Sequence, residues 1–212
     1  MTPYARRLRR AHPRPNDPRA VAPPLKAADA FWAYAVALYA RQDVAQACLY
    51  LQDHHGLNVN VLLFCVWTGD SGYGPLAIDA LTPIITPCLA WHDAVVAPLR
   101  RLRRSLRDDA PAPGVPDHDR RALHRRLLRD ELAAERIAQG LLCAPLTQPP
   151  RRRAEPADRC QASINTLTQY LRWRAAPLNA TGQQAVHTLL SAAYPTLPDA
   201  DMRRKLRRTG LD

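Results

Sequence analysis

A run of nine residues from Val59 to Trp67, VNVLLFCVW, limits the possible folds of this chain more than any other segment. The run is apolar on every side except at Asn60, so other parts of the protein have to cover it completely. A β-strand is one alternative, because valine and aromatic residues favour strands and the run is short. Helical patterns on both sides, and the lack of a predicted partner strand, favour a short central helix that its neighbours bury.

Two helices are predicted before this run. Residues 26–41 repeat apolar side chains at spacings of three and four, which is the pattern of a helix with one buried face. Asp43 is expected to be the N-cap of the second helix, with Gln46 completing a capping box. Gly56 suits the left-handed residue that ends this helix. Asn58 can then cap the central helix.

The segment after the central run predicts a turn and two further helices. The glycine-rich residues 68–75 predict a surface turn, because glycine readily adopts positive φ. A short helix is expected from Pro75 to Leu81, and Thr86 is expected to cap a longer one that follows. Pro98 should bend the longer helix, because proline cannot donate a backbone hydrogen bond. The predicted inner stripe of that helix consists of Cys88, Trp91, Val95, Leu99, Leu102 and Leu106.

Two proline-rich segments, residues 108–118 and 146–158, divide the later part of the chain. Between them, a long helix from Asp119 to Cys143 is expected to pack on the preceding helix as a hairpin. Its predicted buried residues are Leu123, Leu127, Leu128, Leu132, Ile137 and Leu141. After the second break, residues 160–171 again show a helical stripe, Thr181 is expected to cap a last short helix, and the chain ends in a basic tail.

These elements predict an all-α protein, a compact helical bundle around the short buried central helix, with a long helical hairpin and basic tails. The expected organisation has four parts. They are a disordered leader rich in arginine and proline at residues 1–24, a helical core domain at 25–145, a linker at 146–158 and a C-terminal helical extension at 159–212.

Positive charge is concentrated in the leader and after residue 98. The chain has a net charge of +11, yet residues 25–98 contain only two basic and six acidic side chains. The strongest basic patch lies on the predicted hairpin and consists of Arg100, Arg101, Arg103, Arg104 and Arg107. Such a patch either contacts an anion or stays solvated, and the sequence leaves both open. No aromatic residue is interleaved with these arginines, so they offer no stacking platform for single-stranded bases.

A few polar and titratable side chains near the central run form a second candidate site. The possible pocket consists of Asp53, His54, His55, Asn60 and His92. Histidine and carboxylate side chains suit zinc or iron, but no HxxxH or HExxH spacing is present, and adjacent histidines on a helix point about 100° apart. Helix capping and solvent exposure are the alternative roles for these residues. The sequence therefore predicts no metal ion and no cofactor.

The five cysteines indicate the cellular compartment. They are odd in number, widely spaced and mostly on apolar stripes, as expected for reduced and buried thiols in the cytoplasm. The basic residues near the N-terminus are not followed by the apolar core of an export signal. No transmembrane segment is predicted, because the central run is too short to span a bilayer. The expected location is therefore cytoplasmic.

Four segments carry a resemblance to a known family. They are FWAYAVALYA, CLYLQDHHGLNVNVLLFCVW, WHDAVVAPLRRLRRSLR and ELAAERIAQGLL, within about residues 28–145. In this order they resemble a family of small bacterial helical proteins that is catalogued only as a domain of unknown function. The resemblance implies an all-α cytoplasmic protein. It implies no catalytic residues, because the family has no established reaction.

Two hypotheses for function follow. We expect a non-enzymatic binding or adaptor protein that uses basic helix faces to contact an acidic partner, which would be a protein, RNA or the ribosome, or an anionic membrane surface. The alternative is an enzyme or metal-binding protein with a pocket of histidine and aspartate residues beside the central helix. Salt-dependent binding would favour the first hypothesis, and bound metal or perturbed histidine titration the second.

Overall fold

The computed structural model describes residues 27–107, 114–146 and 155–210. These residues form eight helices and no strands, which confirms the predicted all-α class. The helices are α1 (Ala27–Tyr39), α2 (Val44–His55), α3 (Val59–Ser71), α4 (Ile78–Arg104), α5 (Asp117–Cys143), α6 (Pro156–Trp173), α7 (Ala180–Ala193) and α8 (Asp199–Arg207). The predicted leader at residues 1–24 and most of the predicted linker, residues 147–154, lie outside the described residues.

Helix α3 is the buried central helix that the sequence predicts. Every residue from Asn60 to Gly69 is buried. Helices α1, α2, α5 and α6 pack around it, and the ring of Phe31 on α1 lies 5.6 Å from that of Phe64 and 5.2 Å from that of Trp67. A single apolar core includes residues from α1 to α8. Helix α3 can be apolar all round because each neighbour brings its own apolar stripe.

A close crossing of α3 and α6 depends on Gly69. The predicted surface turn at residues 68–75 is wrong in its first part, because α3 continues through Ser71. A Cβ atom on Gly69 would lie 2.3 Å from the backbone nitrogen of Ser163, so only glycine allows the two backbones to approach this closely. Gly72, at φ 92°, then ends the helix in the left-handed region.

The capping signals around α2 are partly confirmed. Asn58 accepts a hydrogen bond from the backbone N–H of Val61 at 3.3 Å, and Gly56 ends α2 at φ 63°. Asp43 occupies the predicted N-cap position of α2, but its φ is 60° and its side chain makes no capping hydrogen bond. The connection between α1 and α2 consists of residues 40–43 alone. Aspartate tolerates the left-handed conformation that this short turn requires.

Helix α4 is one continuous helix where the sequence predicts two. It runs through two prolines in its first half, and a π-helical turn interrupts it at His92–Val96. In this turn the N–H of Ala97 donates to the carbonyl of a residue five positions earlier. Pro98 explains the turn. It cannot donate to the carbonyl of Ala94, and a wider turn gives the proline ring room beside that carbonyl.

The extra residue in the π-helical turn changes which side of α4 faces the protein. One residue corresponds to about 100° of rotation around a helix. Val96 is fully buried in place of the predicted Val95, and Leu102 from the predicted inner stripe is 51% exposed. The face that turns inward beyond the π-helical turn carries Arg100 and Arg103 instead.

Helices α4 and α5 form the predicted hairpin, but of the six residues predicted to be buried on α5 only Leu127 is buried, and Leu128, Leu132 and Leu141 are partly buried. Leu123 and Ile137, which are expected inside, are 37% and 49% exposed. The buried positions of α5 include four polar residues, which are Arg120, Glu131, Glu135 and Gln139. Helix α5 can bury polar side chains because α4 presents arginines to this face.

Helices α6 to α8 complete the described part of the chain. The predicted apolar stripe of α6 is buried from Cys160 to Leu171. Asn179, not the predicted Thr181, caps α7 by accepting a backbone hydrogen bond at 2.8 Å. The segment predicted as a basic tail contains α8, whose Met202 and Leu206 are buried, so most of this segment is a docked helix.

Helix α4 is the one described helix that is long and apolar enough to cross a membrane, with a mean hydropathy of 1.2 in its most apolar window. Length and composition by themselves are a weak indication, because the core helices of many folds meet the same criteria. The described residues therefore contain no clear transmembrane segment.

Candidate functional site

The five arginines predicted as one basic face do not share a face in the structure. Arg100 and Arg103 point toward α5 and are largely covered. Arg101 and Arg104 are exposed on α4, and Arg107 is exposed just beyond its end. The rotation introduced by the π-helical turn accounts for this division.

Glu131 and Glu135 on α5 balance the charge of the two inner arginines. Arg100 donates from Nε to Glu131 Oε1 at 3.0 Å and from Nη2 to Glu135 Oε1. Arg103 donates from Nε and Nη2 to Glu131, with Nη2 3.3 Å from Oε1. The two glutamates are only 3% and 6% exposed. Two buried carboxylates and two guanidinium groups thus form a set of ion pairs with no net charge.

Three amide side chains extend these ion pairs. Arg100 Nη1 donates to Gln52 Oε1 on α2 at 2.8 Å. Asn60 Nδ2 on α3 donates to Glu135, and Gln139 Nε2 on α5 donates to Asn60 Oδ1 at 2.9 Å. We call the whole set the polar cluster, which consists of Gln52, Asn60, Arg100, Arg103, Glu131, Glu135 and Gln139. It joins four helices, and Gln52 and Asn60 both lie in the segment CLYLQDHHGLNVNVLLFCVW, which carries part of the family resemblance.

The polar cluster borders a partly enclosed cavity of about 100 Å³. The rest of the lining is mostly apolar and comes from α1 and α3. It consists of Trp32, Ala35, Val36, Tyr39, Val59 and Leu63. Arg136 lies 5.3 Å from the ring centroid of Trp32 and also pairs with Asp29 at 2.7 Å, so it helps to hold this indole in place. The result is a small pocket with one charged wall and one aromatic and aliphatic wall.

Burial and the ion pairs shift pKa values around the cavity. Burial on its own would raise the pKa of Glu131, but the hydrogen bonds and charges of Arg103 and Arg100 outweigh it and hold the pKa below its usual value. Burial raises the pKa of Tyr39 far above its usual value and lowers the pKa of His92. At neutral pH Glu131 is therefore ionised, whereas the phenol and the imidazole are neutral.

Three residues of the predicted histidine and aspartate pocket lie at or near the polar cluster. Asn60 belongs to the cluster, and Asp53 borders it by accepting a hydrogen bond from Gln52 Nε2 at 3.0 Å. His92 lies close enough to the cluster for its charged side chains to act on the pKa of the imidazole. The Nδ1 atom of His92 is buried and has no hydrogen-bond partner among the described residues.

The other two histidines of that predicted pocket lie elsewhere. The ring of His54 stacks on that of Tyr50 at a centroid distance of 4.4 Å. His55 lies against α7, where a Cβ atom on Gly182 would be 2.6 Å from its Nε2. Within the described ranges, no three histidine, cysteine or carboxylate side chains are placed to hold one metal ion. The alternative of a metal site thus gains no geometric support from this part of the chain.

A second candidate site lies where α4 ends and α5 begins. A groove of about 700 Å³ opens there, and we call it the hairpin-end groove. Its lining combines apolar and basic side chains and consists of Leu106, Val115, Asp119, Arg120, Ala122, Leu123, Arg125, Arg126 and Arg129. Val115 is half exposed, and so is Leu102, one turn before the groove on α4.

The predicted site residues include Asn60, Arg100 and Arg103 but not the other four members of the polar cluster, which are Gln52, Glu131, Glu135 and Gln139. The signal for it in the sequence is spacing: Glu131, Glu135 and Gln139 follow at intervals of four, and Arg100 and Arg103 at an interval of three. Such intervals place each set on one side of its helix. A polar stripe of this kind is equally typical of a solvated face, so the spacing alone does not predict burial.

Comparisons with known proteins supply a family but no activity. No curated protein and no solved structure matches the chain. A family described as "Protein of unknown function (DUF2390)" matches residues 30–142. This region is more than half of the chain and contains the whole polar cluster and the hairpin-end groove. The chain therefore belongs to this family, which confirms the resemblance found in its sequence.

Proposed function

We propose that this protein is a helical binding module that docks an acidic segment of a partner protein in the hairpin-end groove. One observation carries the proposal, which is the presence of exposed apolar side chains and exposed arginines in the same groove. Neither kind of side chain would by itself indicate a partner, because single exposed leucines and solvated arginines are common on protein surfaces.

The apolar part of the groove favours contact with another protein. Leu123 and Val115 are well exposed, and Leu106 lies beside them in the lining. Several exposed apolar side chains rimmed by polar residues are typical of protein interaction sites. A partner that covers them removes apolar surface from water, which stabilises the complex.

The charge of the groove favours an acidic partner. Arg125, Arg126 and Arg129 are exposed on α5, and none of them forms an ion pair with another described residue. Arg120 is turned inward and donates to the two carbonyls that follow α4. Asp119 is the one acidic side chain in the described lining. Three exposed positive charges beside apolar side chains complement a segment that carries both acidic and apolar residues.

Other anionic partners complement the groove less well. No aromatic side chain lines it in the described part of the chain, so it lacks a platform on which nucleic-acid bases could stack. The groove is concave, whereas a bilayer surface is met by an amphipathic face that lies flat on it. An amphipathic acidic helix fits a groove between two helix ends.

The test measures binding of a fluorescent helical peptide of glutamate and leucine repeats to the full chain by fluorescence anisotropy. We expect saturable binding that weakens as salt is added, because salt screens interactions between exposed charges. An RNA oligonucleotide and vesicles that contain anionic lipid are measured under the same conditions. Tighter binding of RNA or vesicles than of the peptide would contradict an acidic protein segment as the partner.

Two triple variants distinguish the groove from general positive charge. The groove variant carries Arg125→Gln, Arg126→Gln and Arg129→Gln. The control variant loses the same charge at exposed positions on or next to α6 and α8, through Arg172→Gln, Arg204→Gln and Arg208→Gln. We expect the groove variant to bind the peptide about tenfold more weakly, at roughly 0.5 kcal/mol for each exposed charge, and the control variant to bind nearly as the wild type does. Equal losses in both variants would refute the proposal.

A further inference from the structure

We propose that the cavity beside the polar cluster binds a small uncharged molecule that carries an N–H or O–H donor and a carbonyl-type acceptor, as a primary amide does. The proposal concerns a different site from the hairpin-end groove and does not depend on it. It rests on the charge balance of the cluster, on the orientation of its amides and on the size of the cavity.

The charge balance indicates that the ligand is uncharged. Glu131 and Glu135 are almost fully buried, and each already accepts a charge-assisted hydrogen bond from an arginine. Arg103 completes the set by pairing with Glu131, so two positive groups face two negative ones. An ion placed in the cavity would therefore have no opposite charge left to pair with, and burying an unpaired charge is costly.

The amide orientations leave one acceptor without a donor. A carboxylate paired with an arginine only accepts hydrogen bonds, so the NH₂ group of Asn60 has to face Glu135. Asn60 Oδ1 is then an acceptor, which requires Gln139 to present its own NH₂ group. This places Gln139 Oε1 at the end of the chain of hydrogen bonds. The atom is buried and has no partner among the described residues.

A buried acceptor without a partner costs stability, and Gln139 borders the cavity. A ligand in the cavity that carries an N–H or O–H group would supply the donor that this acceptor lacks. The complementary group comes from Arg103, whose contacts with Glu131 use Nε and Nη2 and leave Nη1 for an acceptor. One ligand with a donor and an acceptor would satisfy both side chains.

The cavity volume sets the size of the ligand. About 100 Å³ corresponds to roughly three water molecules at about 30 Å³ each, or to one planar molecule of a few heavy atoms. The aromatic and aliphatic wall, which includes Trp32 and Leu63, suits the apolar face of such a molecule. Val36 also lines the cavity and is only partly buried.

The experiment titrates the full chain with acetamide and, separately, with acetate, and follows backbone and side-chain amide signals by NMR. Acetate has the same shape as acetamide but carries a charge. We expect saturable shifts of the Asn60 and Gln139 side-chain signals with acetamide, with a dissociation constant on the order of millimolar for so small a ligand. We expect acetate to bind at least tenfold more weakly, because its charge is not compensated in the cavity.

Three variants test whether the binding occurs in this cavity. Gln139→Leu removes the unpartnered acceptor and should weaken acetamide binding by about fivefold or more. Val36→Phe enlarges a lining side chain that is not part of the polar cluster, and it should abolish the binding by filling the cavity. Gln184→Leu, at an exposed glutamine on α7, is the matched control and should bind acetamide as the wild type does.

The possible outcomes separate clearly. Saturable acetamide binding that is lost in the Val36→Phe variant supports the proposal. Shifts that do not saturate, shifts that persist in that variant, or acetate binding as tight as acetamide binding would each overturn it. An ordered water molecule on Gln139 together with no acetamide binding would also overturn it, because water would then satisfy the acceptor.

Discussion

Replacement of Glu131 by glutamine tests whether the buried ion pairs hold α4 against α5. The substitution keeps the size of the side chain but removes its charge. The carboxylate of Glu131 accepts three N–H groups, one from Arg100 and two from Arg103. In the variant, a neutral amide with a single acceptor oxygen faces two guanidinium groups.

The expected loss of stability follows from the burial of these groups. Removal of one partner from a fully buried ion pair costs about 3–5 kcal/mol. The two arginine side chains are 18% and 20% exposed, so water compensates part of the loss. We therefore expect Glu131→Gln to lower the free energy of unfolding by about 2–3 kcal/mol. At 2–4 °C for each kcal/mol in a chain of this size, the melting temperature should fall by roughly 4–12 °C.

The assay is urea unfolding at pH 7 followed by circular dichroism, with Asp29→Asn as a matched control. Asp29 pairs with Arg136 at 2.7 Å, but both side chains are about half exposed, so its conversion to an amide should cost less than about 1 kcal/mol. If the two variants lose the same free energy within about 0.5 kcal/mol, the ion pairs of the polar cluster do not contribute as buried pairs, and the reasoning is refuted.

The same variant predicts how stability depends on pH. Because the folded state lowers the pKa of Glu131, its contribution to stability is present above the usual glutamate pKa of about 4.5 and is lost as the pH falls through the lower folded value. The difference in unfolding free energy between wild type and Glu131→Gln should therefore shrink in acid. A difference that stays constant down to pH 2.5 would contradict this interpretation.

Three further predictions concern packing, thiols and a histidine. Gly69→Ala should destabilise the protein by about 3 kcal/mol in urea unfolding, because the new Cβ atom meets the backbone of Ser163. The control is Gly140→Ala, where a Cβ atom meets no other atom within 4 Å, and it should be neutral or stabilising by up to about 1 kcal/mol. All five cysteines are buried, and burial raises the pKa of four of them to about 11 or 12. A thiol reagent at pH 8 should therefore label no cysteine in the native protein and all five after denaturation. Fast labelling of the native protein would contradict this packing. Burial lowers the pKa of His92, so its imidazole should titrate below pH 6.5 when followed by NMR. The stability that the neutral imidazole contributes at pH 7 should be lost as the pH falls from 6.5. A normal or raised pKa would show that the imidazole is solvated or paired.

The sequence predicts the central helix well because a segment that is apolar on all sides has few other solutions. The same holds for the two local signals next to it, the cap at Asn58 and the left-handed glycine at Gly56, since both depend on atoms within a few residues. Asp43 shows the limit of such local signals. Its side chain suits an N-cap, but the short connection between α1 and α2 imposes a different backbone conformation on it.

The polar cluster is harder to predict because its burial depends on two helices at once. Glu131 and Glu135 can be buried only where arginines meet them, and Arg100 and Arg103 meet them only because of the π-helical turn. The sequence places a distortion near Pro98 but gives no count of the residues in the distorted turn. If the prediction miscounts this turn by one residue, it places leucine inside and arginine outside. This error accounts both for the wrong predicted position of Leu102 and for the prediction that all five arginines share one exposed face.

The π-helical turn also has a consequence for how this protein can change over evolutionary time. A point substitution within His92–Val96 alters one side chain, but loss of a single codon there would restore a regular helix and rotate everything that follows by about 100°. Arg100 and Arg103 would then both turn away from Glu131 and Glu135, although none of these four residues had mutated. Two relatives with the same arginine motif could therefore differ in which way it faces, and a one-residue gap ahead of Pro98 would mark the difference.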